Sequence, residues 1–122
     1  MKIQESGEMY LEAILILKKT NPNVRSIDVA NHTGYSKPSV SRAMGILKKA
    51  GYITIDDNGF ISFTDMGEEH ARTIYERHQV LTNLFVRMGV DPKTAEEDAC
   101  RIEHVISDTT FEVIKKSIEA HP

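Results

Sequence analysis

At 122 residues, 40% of them hydrophobic, the chain can bury one core, or two small cores that lean on each other or on a second copy. A large multi-domain enzyme is excluded. The net charge of −3 argues against a nucleic-acid binder until it is divided along the chain: residues 1 to 64 carry eight Lys and Arg against six Asp and Glu, and residues 65 to 122 carry seven against twelve.

Chain order supplies the elements. The apolar residues Met9, Leu11, Ile14, Leu15 and Leu17 follow helical spacing over Glu8 to Lys19, and the sequence Thr20-Asn21-Pro22-Asn23 ends that helix. The run Ala13 to Leu17 is too short to span a bilayer, and neither a basic lead nor a small-residue cleavage site is present. A cytoplasmic protein without a membrane association is expected. Ser26 is placed to cap a short helix, Ile27 to Thr33, with Ile27, Val29 and Ala30 inward and Gly34 as its stop. Ser36 caps the next, which has Pro38 in its first turn, Val40, Ala43, Met44, Ile46 and Leu47 as its buried face, and Gly51 at its end. Two β-rich runs, Tyr52 to Ile55 and Phe60 to Phe63, flank Asp56-Asp57-Asn58-Gly59, a hairpin turn signal. Asp65 to Met88 reads as one long helix. Asp91-Pro92 then opens a helix reaching about Ile106, and a last helix starts at Ser107 or Asp108. The expected fold is mainly α, with a winged helix-turn-helix DNA-binding domain over residues 1–64 and an α-helical dimerisation domain over 65–122.

In a helix-turn-helix protein the first residues of the second helix reach base edges in the major groove. Here they are Ser36, Lys37, Pro38, Ser39, Ser41 and Arg42. Arg42 suits a bidentate contact with guanine, the serines permit close approach, and the Pro38 ring suits a thymine methyl. Lys48, Lys49 and Arg25 suit phosphates, whereas Asp56 and Asp57 weaken the hairpin tip. Between residues 36 and 49 there are four basic side chains and no acid, as a phosphate-facing surface requires.

In the helical half, Cys100, Glu103 and His104 stand at i, i+3 and i+4 and share one predicted helix face. A thiolate, a carboxylate and an imidazole form a partial coordination sphere for a first-row divalent metal. Met9 and Glu12, one turn apart on the first helix, and His78 on the long helix are further candidate ligands. Each also has a structural reading: Met9 as core filler, Glu103 as a partner of Arg77 or Arg101, and Cys100, the single cysteine, as a buried thiol. Ile74, Val80, Leu81, Leu84, Phe85, Phe111, Val113, Ile114 and Ile118 offer more apolar surface than a thin domain buries alone, which points to a homodimer.

The order of elements, Glu8-Met9-Tyr10-Leu11-Glu12, the pair Arg77-His78, and Ala99 to Asp108 with its Cys-Arg-Ile-Glu-His run resemble the diphtheria toxin repressor family of metalloregulators, in a short form without an SH3-like domain. The resemblance covers nearly the whole chain. It implies an Fe(II)- or Mn(II)-activated repressor of metal-uptake genes that dimerises through its C-terminal helices and binds a palindromic operator in double-stranded DNA. Carried over by position, it implies a main site of Met9, Cys100, Glu103 and His104, as in the iron-responsive branch, with His78 in a neighbouring site. That neighbouring site departs from the branch pattern at Thr82 and Glu96. Glu12 instead resembles the manganese-responsive branch, which uses a glutamate there with the equivalents of His78 and Glu103. The ligand set is a hybrid.

Thioether and thiolate softness favours Fe(II) over Mn(II), with Zn(II), Co(II) or Ni(II) as strong surrogates in vitro. Two rivals stand beside this reading. One is a winged-helix regulator responding to a small organic ligand or to oxidation of Cys100. The other is an enzyme using Cys100 and His104 as nucleophile and base, which lacks a third orienting residue and an oxyanion-hole loop; no enzyme is expected.

Overall fold

The computed structural model describes residues 5–121. It divides into two compact units, Met1–Arg72 and Thr73–Pro122.

The first unit contains α1 (Glu5–Lys18), α2 (Ser26–Thr33), α3 (Lys37–Lys49), β1 (Ile53–Ile55), β2 (Ile61–Phe63) and the first turns of α4 (Asp65–Arg87). Three helices followed by an antiparallel hairpin make the winged helix-turn-helix expected from the sequence. Leu11 and Ile14 of α1, Val29 of α2, Val40, Met44 and Leu47 of α3, and Ile53 and Ile61 of the hairpin are buried in one cluster. The helical period brings each of these residues to one face of its element.

Local chemistry sets the boundaries. The start of α2 differs from the Ser26 cap read from the sequence. Arg25 is the N-cap residue, its N–H donating to Asp28 Oδ2 at 2.9 Å, and Ser26 is the first helical residue. Arg25 has no cap acceptor of its own, so the aspartate three residues on closes the turn by reaching back. Ile27 is exposed rather than inward, leaving Val29 and Ala30 as the buried residues of α2. Gly34 takes φ +79 and closes the helix with its N–H on the Ala30 carbonyl. At α3 the expectation holds: Ser36 Oγ accepts from the Ser39 N–H at 3.3 Å, with Pro38 in the first turn.

The strands pair Ile53 with Phe63, Thr54 with Ser62 and Ile55 with Ile61. Asp56 Oδ1 accepts from the N–H groups of Asn58 and Phe60, both at 2.9 Å, which holds the turn. The Ile61 N–H donates to the Val24 carbonyl at 2.7 Å, tying the hairpin to the segment before α2. Thr64 fastens the next element, donating from Oγ1 to the Gly51 carbonyl at 2.6 Å while accepting from the Gly67 N–H at 3.1 Å. A Cβ at Gly67 would lie 1.8 Å from the Tyr52 carbonyl oxygen, so only glycine lets α4 begin this close to β1.

The second unit contains the remainder of α4, α5 (Pro92–Ile102) and α6 (Asp108–Ala120). Its buried apolar residues are Ile74, Leu81, Ala95, Ala99 and Phe111. The Asp91 carboxylate caps α5 through the Thr94 N–H at 3.0 Å, and Ser107 caps α6 through the Thr110 N–H at 3.1 Å. The hydrogen bonds from the Thr94 N–H and hydroxyl hold the Asp91 carboxyl below the usual carboxylate range. Helix α5 stops at Ile102, four residues short of the Ile106 expected from the sequence, with Glu103 as its C-cap. Arg77 takes up the carbonyls that this early end leaves open.

Candidate metal centre and nucleic-acid interface

Within the second unit the metal-type chemistry centres on Glu103. The last turn of α5 delivers this carboxylate to a position of 0% exposure, and three contacts define its setting. Oε2 lies 2.8 Å from His78 Nδ1 of α4. Oε1 lies 3.3 Å from His104 Nε2 but accepts no hydrogen bond among the described residues. The backbone carbonyl accepts from Arg77 Nη1 at 3.2 Å.

Arg77 organises the surrounding loop. It sits in the register of the α4 core stripe, Ile74, Arg77 and Leu81, and is itself buried. The guanidinium donates also to the Ile106 carbonyl at 2.8 Å, pairs with Asp108, and lies 5.4 Å from the centre of the Phe111 ring. One side chain thus binds the end of α5 and the start of α6 to α4. With that loop fixed, His78, one residue after Arg77, and Glu103 face each other.

The donor set fits a divalent cation on one decisive point. A carboxylate oxygen removed from water without a hydrogen-bond donor is costly unless a positive charge compensates it; Glu103 Oε1 accepts no hydrogen bond among the described residues, and the His104 imidazole 3.3 Å away offsets its charge only when protonated. The His78–Glu103 spacing is that of a hydrogen bond, and it also suits two ligands of one ion, since atoms each about 2.1 Å from a metal at right angles are roughly 3 Å apart.

The other candidate ligands are placed as follows. His104 lies just past the end of α5, with its side chain beside Glu103. Cys100 is exposed on α5, so although Cys100 and Glu103 are one turn apart, only Glu103 is buried. In the first unit, Met9 and Glu12 stand one turn apart on α1; Met9 is half-buried against the apolar cluster and Glu12 is buried. Of the apolar residues read as dimer-forming, Ile74, Leu81 and Phe111 are internal core, Val113 is exposed, and Val80, Leu84, Phe85, Ile114 and Ile118 are half-buried.

The DNA-type residues lie in the first unit, and Arg25, Ser36, Lys37, Pro38, Ser39, Ser41, Arg42 and Lys48 are all exposed. Ser36 is partly committed: besides capping α3, its hydroxyl donates to Ser39 Oγ at 2.9 Å. Arg25 is held over the Phe60 ring, 4.6 Å from its centre, which couples that cation to the hairpin. Tyr35, in the turn between α2 and α3, sets its ring edge-on to Tyr10 of α1 with centroids 6.1 Å apart. Burial and the nearby Tyr35 push the Tyr10 phenol above its ordinary pKa. One residue of α3 departs from its expected position: Ile46, read as part of the buried face, is 58% exposed.

Residues 2–59 match the sequence model of the iron dependent repressor N-terminal DNA binding domain. Residues 64–121 match that of the iron dependent repressor metal binding and dimerisation domain. The chain belongs to the iron-dependent repressor family. Among curated relatives it is 31% identical over 119 residues to the uncharacterized HTH-type transcriptional regulator MJ0568 of Methanocaldococcus jannaschii, covering 96% of this chain and 95% of the relative. It is 30% identical over 112 residues to the transcriptional regulator MntR of Escherichia coli O6:H1, covering 92% and 72%. The fold is that of the manganese regulator SloR, with a TM-score of 0.81 at 22% identity. That alignment covers 98% of this chain and 55% of SloR, so the chain spans about half the length of that protein.

The repressor's two halves therefore divide its chemistry. The half holding His78 and Glu103 is the metal-binding and dimerisation domain, and the half holding the exposed basic helix is the DNA-binding domain. No helix of the described residues is long and apolar enough to cross a membrane. Two contributors are hard to see in a sequence. Arg77 is signalled only by a charged residue standing in a core register, and Glu103 Oε1 by nothing short of coordinates.

Proposed function

We propose that this chain is a cytoplasmic, metal-activated transcriptional repressor of metal-ion uptake or homeostasis genes, acting as a homodimer on a palindromic operator and carrying out no catalysis. The observation that carries the reading is the buried Glu103 carboxylate against His78, one oxygen accepting no hydrogen bond among the described residues, in the half that matches a metal-binding domain. His78, Glu103 and His104 hold the ion in this reading. Met9 and Glu12 of α1 and Cys100 of α5 are the further donors that the sequence offers. A bound divalent ion supplies positive charge that neutralises the carboxylates and fixes the side chains donating to it.

The chain's own residues do the rest. Arg77 holds the loop that presents Glu103. Arg42 reads a guanine, Lys37, Pro38, Ser39 and Ser41 lie along the major groove, and Arg25 and Lys48 contact phosphates. Ser36 fixes the start of the reading helix. Two copies of this helix on a palindrome sit about one or more DNA turns apart, roughly 34 Å or a multiple. Metal and operator tighten each other by the same factor, because the coupling is reciprocal.

Iron(II) is the first effector proposed, on the softness of the Met9 thioether and the Cys100 thiol. Manganese(II) is the second, favoured by the exposure of Cys100 and by the nitrogen and oxygen donors of His78 and Glu103. Anaerobic calorimetric titration of Fe(II) and Mn(II), with and without a selected operator, tests the proposal. Iron should show the larger coupling to DNA. Equal coupling defeats the iron assignment, and identical metal affinities with and without DNA defeat the mechanism.

A further inference from the structure

The apolar residues of α3 follow a helical period, and all of them would be buried if the period alone governed. Ile46 breaks the pattern. It is the most exposed large apolar side chain among the described residues of the first unit. A single exposed isoleucine is ordinary on a protein surface; its position here is not. Arg42 stands one turn before it, Lys49 nearly one turn after it and Gly45 beside it, all exposed. The sequence carries no acid from Val29 to Ile55. An apolar branched side chain thus stands in the middle of a cationic, acid-free helix face, where solvation alone favours a polar residue.

Gly45 adds an independent point. After proline, glycine is the least favourable residue in a helix interior, so internal packing usually explains one. Here a Cβ would meet nothing within 4 Å, and the chain itself gives no packing reason for the missing side chain. The gap lowers the α3 surface next to Ile46 and lets a second body approach closely.

We infer that Ile46 is a specificity-determining residue that reads a thymine through its C5-methyl group in the major groove, one helical turn from Arg42. This rests on the DNA-binding reading of the repressor. The major groove presents one apolar group, the thymine methyl, and an aliphatic side chain is its natural partner. Four residues of α-helix advance about 6 Å and successive bases lie about 3.4 Å apart along a strand. The thymine is therefore about two base steps from the contact made by Arg42. Charge complementarity selects the occupant, because the cations around Ile46 suit phosphates and repel a basic partner.

The test uses the full chain loaded with Mn(II). A binding site is first selected from random-sequence DNA, and each thymine in it is then replaced singly by deoxyuracil, which removes only the methyl. Binding by wild type and by Ile46→Ala is measured by fluorescence anisotropy. At one thymine per half-site, uracil should weaken wild type about fourfold, the value of one buried methyl, and leave I46A unchanged. Ile46→Leu should retain part of the sensitivity. The exposed site predicts that I46A melts with wild type, so a loss of folding does not cloud the comparison. Wild type that tolerates uracil at every thymine, or I46A that is as uracil-sensitive as wild type, overturns the inference. Loss of site preference in Arg42→Ala would show the DNA-binding reading to be intact in that case. Metal-loaded wild type that selects no sequence at all overturns both.

Discussion

Replacing Arg77 with methionine removes the guanidinium while keeping an apolar stem against Phe111. The lost contacts are the hydrogen bonds to the Glu103 carbonyl at 3.2 Å and the Ile106 carbonyl at 2.8 Å, together with the pair to Asp108. The Asp108 side chain is 92% exposed, so that pair contributes no more than about 1 kcal/mol. The two carbonyl bonds come from a charged donor, worth about 1.5–3 kcal/mol each. Against them stands the cost of keeping the guanidinium buried, with an Nε–H that finds no acceptor among the described residues. The net loss is about 3 kcal/mol, or a factor of roughly 150 in the folded-to-unfolded ratio. For a domain of ordinary stability this leaves a folded protein with a lowered melting temperature. The same change frees the loop from Glu103 to Asp108, so the Glu103 carboxylate is no longer held against His78 and metal affinity falls as well. Thermal unfolding at fixed protein concentration without metal, followed by metal titration of the folded variant below its transition, separates the two effects. Asp108→Asn serves as a control and should do little to either. An R77M protein that melts with wild type, or that binds metal as tightly, refutes the assignment of Arg77 as the organiser of the site.

Gly67→Ala places a methyl 1.8 Å from the Tyr52 carbonyl oxygen and should destabilise the DNA-binding half by about 1–3 kcal/mol; urea denaturation that finds no loss contradicts the packing described. Asp91 caps α5 in its charged form, with its pKa lowered by the Thr94 N–H. Its contribution is therefore complete above its unfolded value of about 4 and disappears as the pH falls through the lower folded value. Melting temperatures of wild type and Asp91→Asn measured from pH 7 to pH 2 should converge at the acid end, and a constant difference across that range contradicts the cap.

Much of this fold is legible in the sequence because its signals are local. Ser36 with Pro38, Asp91 with Pro92, and Ser107 each announce a helix start through a side chain that reaches only three residues ahead. The hairpin is equally local, since Asp56 holds its own turn. The misreadings have different causes. Ser26 looks like a cap, but Asp28 supplies the acceptor and moves the helix start back one residue. The α5 pattern runs on to Ile106, yet the chain turns after Ile102, and Arg77, 26 residues before Glu103, donates to the Glu103 and Ile106 carbonyls. Ile46 satisfies the helical period of α3, but period alone does not say how wide the buried stripe is. At the candidate metal centre the sequence spacing puts Cys100, Glu103 and His104 within little more than one turn of chain, and Glu103 and His104 lie side by side. It does not reveal that Glu103 is buried against His78 while Cys100 is exposed, because that difference depends on what packs over each residue.

The central claim is that metal bound through Glu103 controls DNA binding. Anisotropy titrations of a selected operator with wild type and Glu103→Gln, each with chelator and with saturating Fe(II) or Mn(II), test it most directly. Coupling free energies between sites commonly correspond to about 5- to 150-fold. Metal should therefore raise the operator affinity of wild type by a factor in that range and leave E103Q at its metal-free value. Wild type that binds operator equally well in chelator, or E103Q that responds to metal as wild type does, would contradict the account.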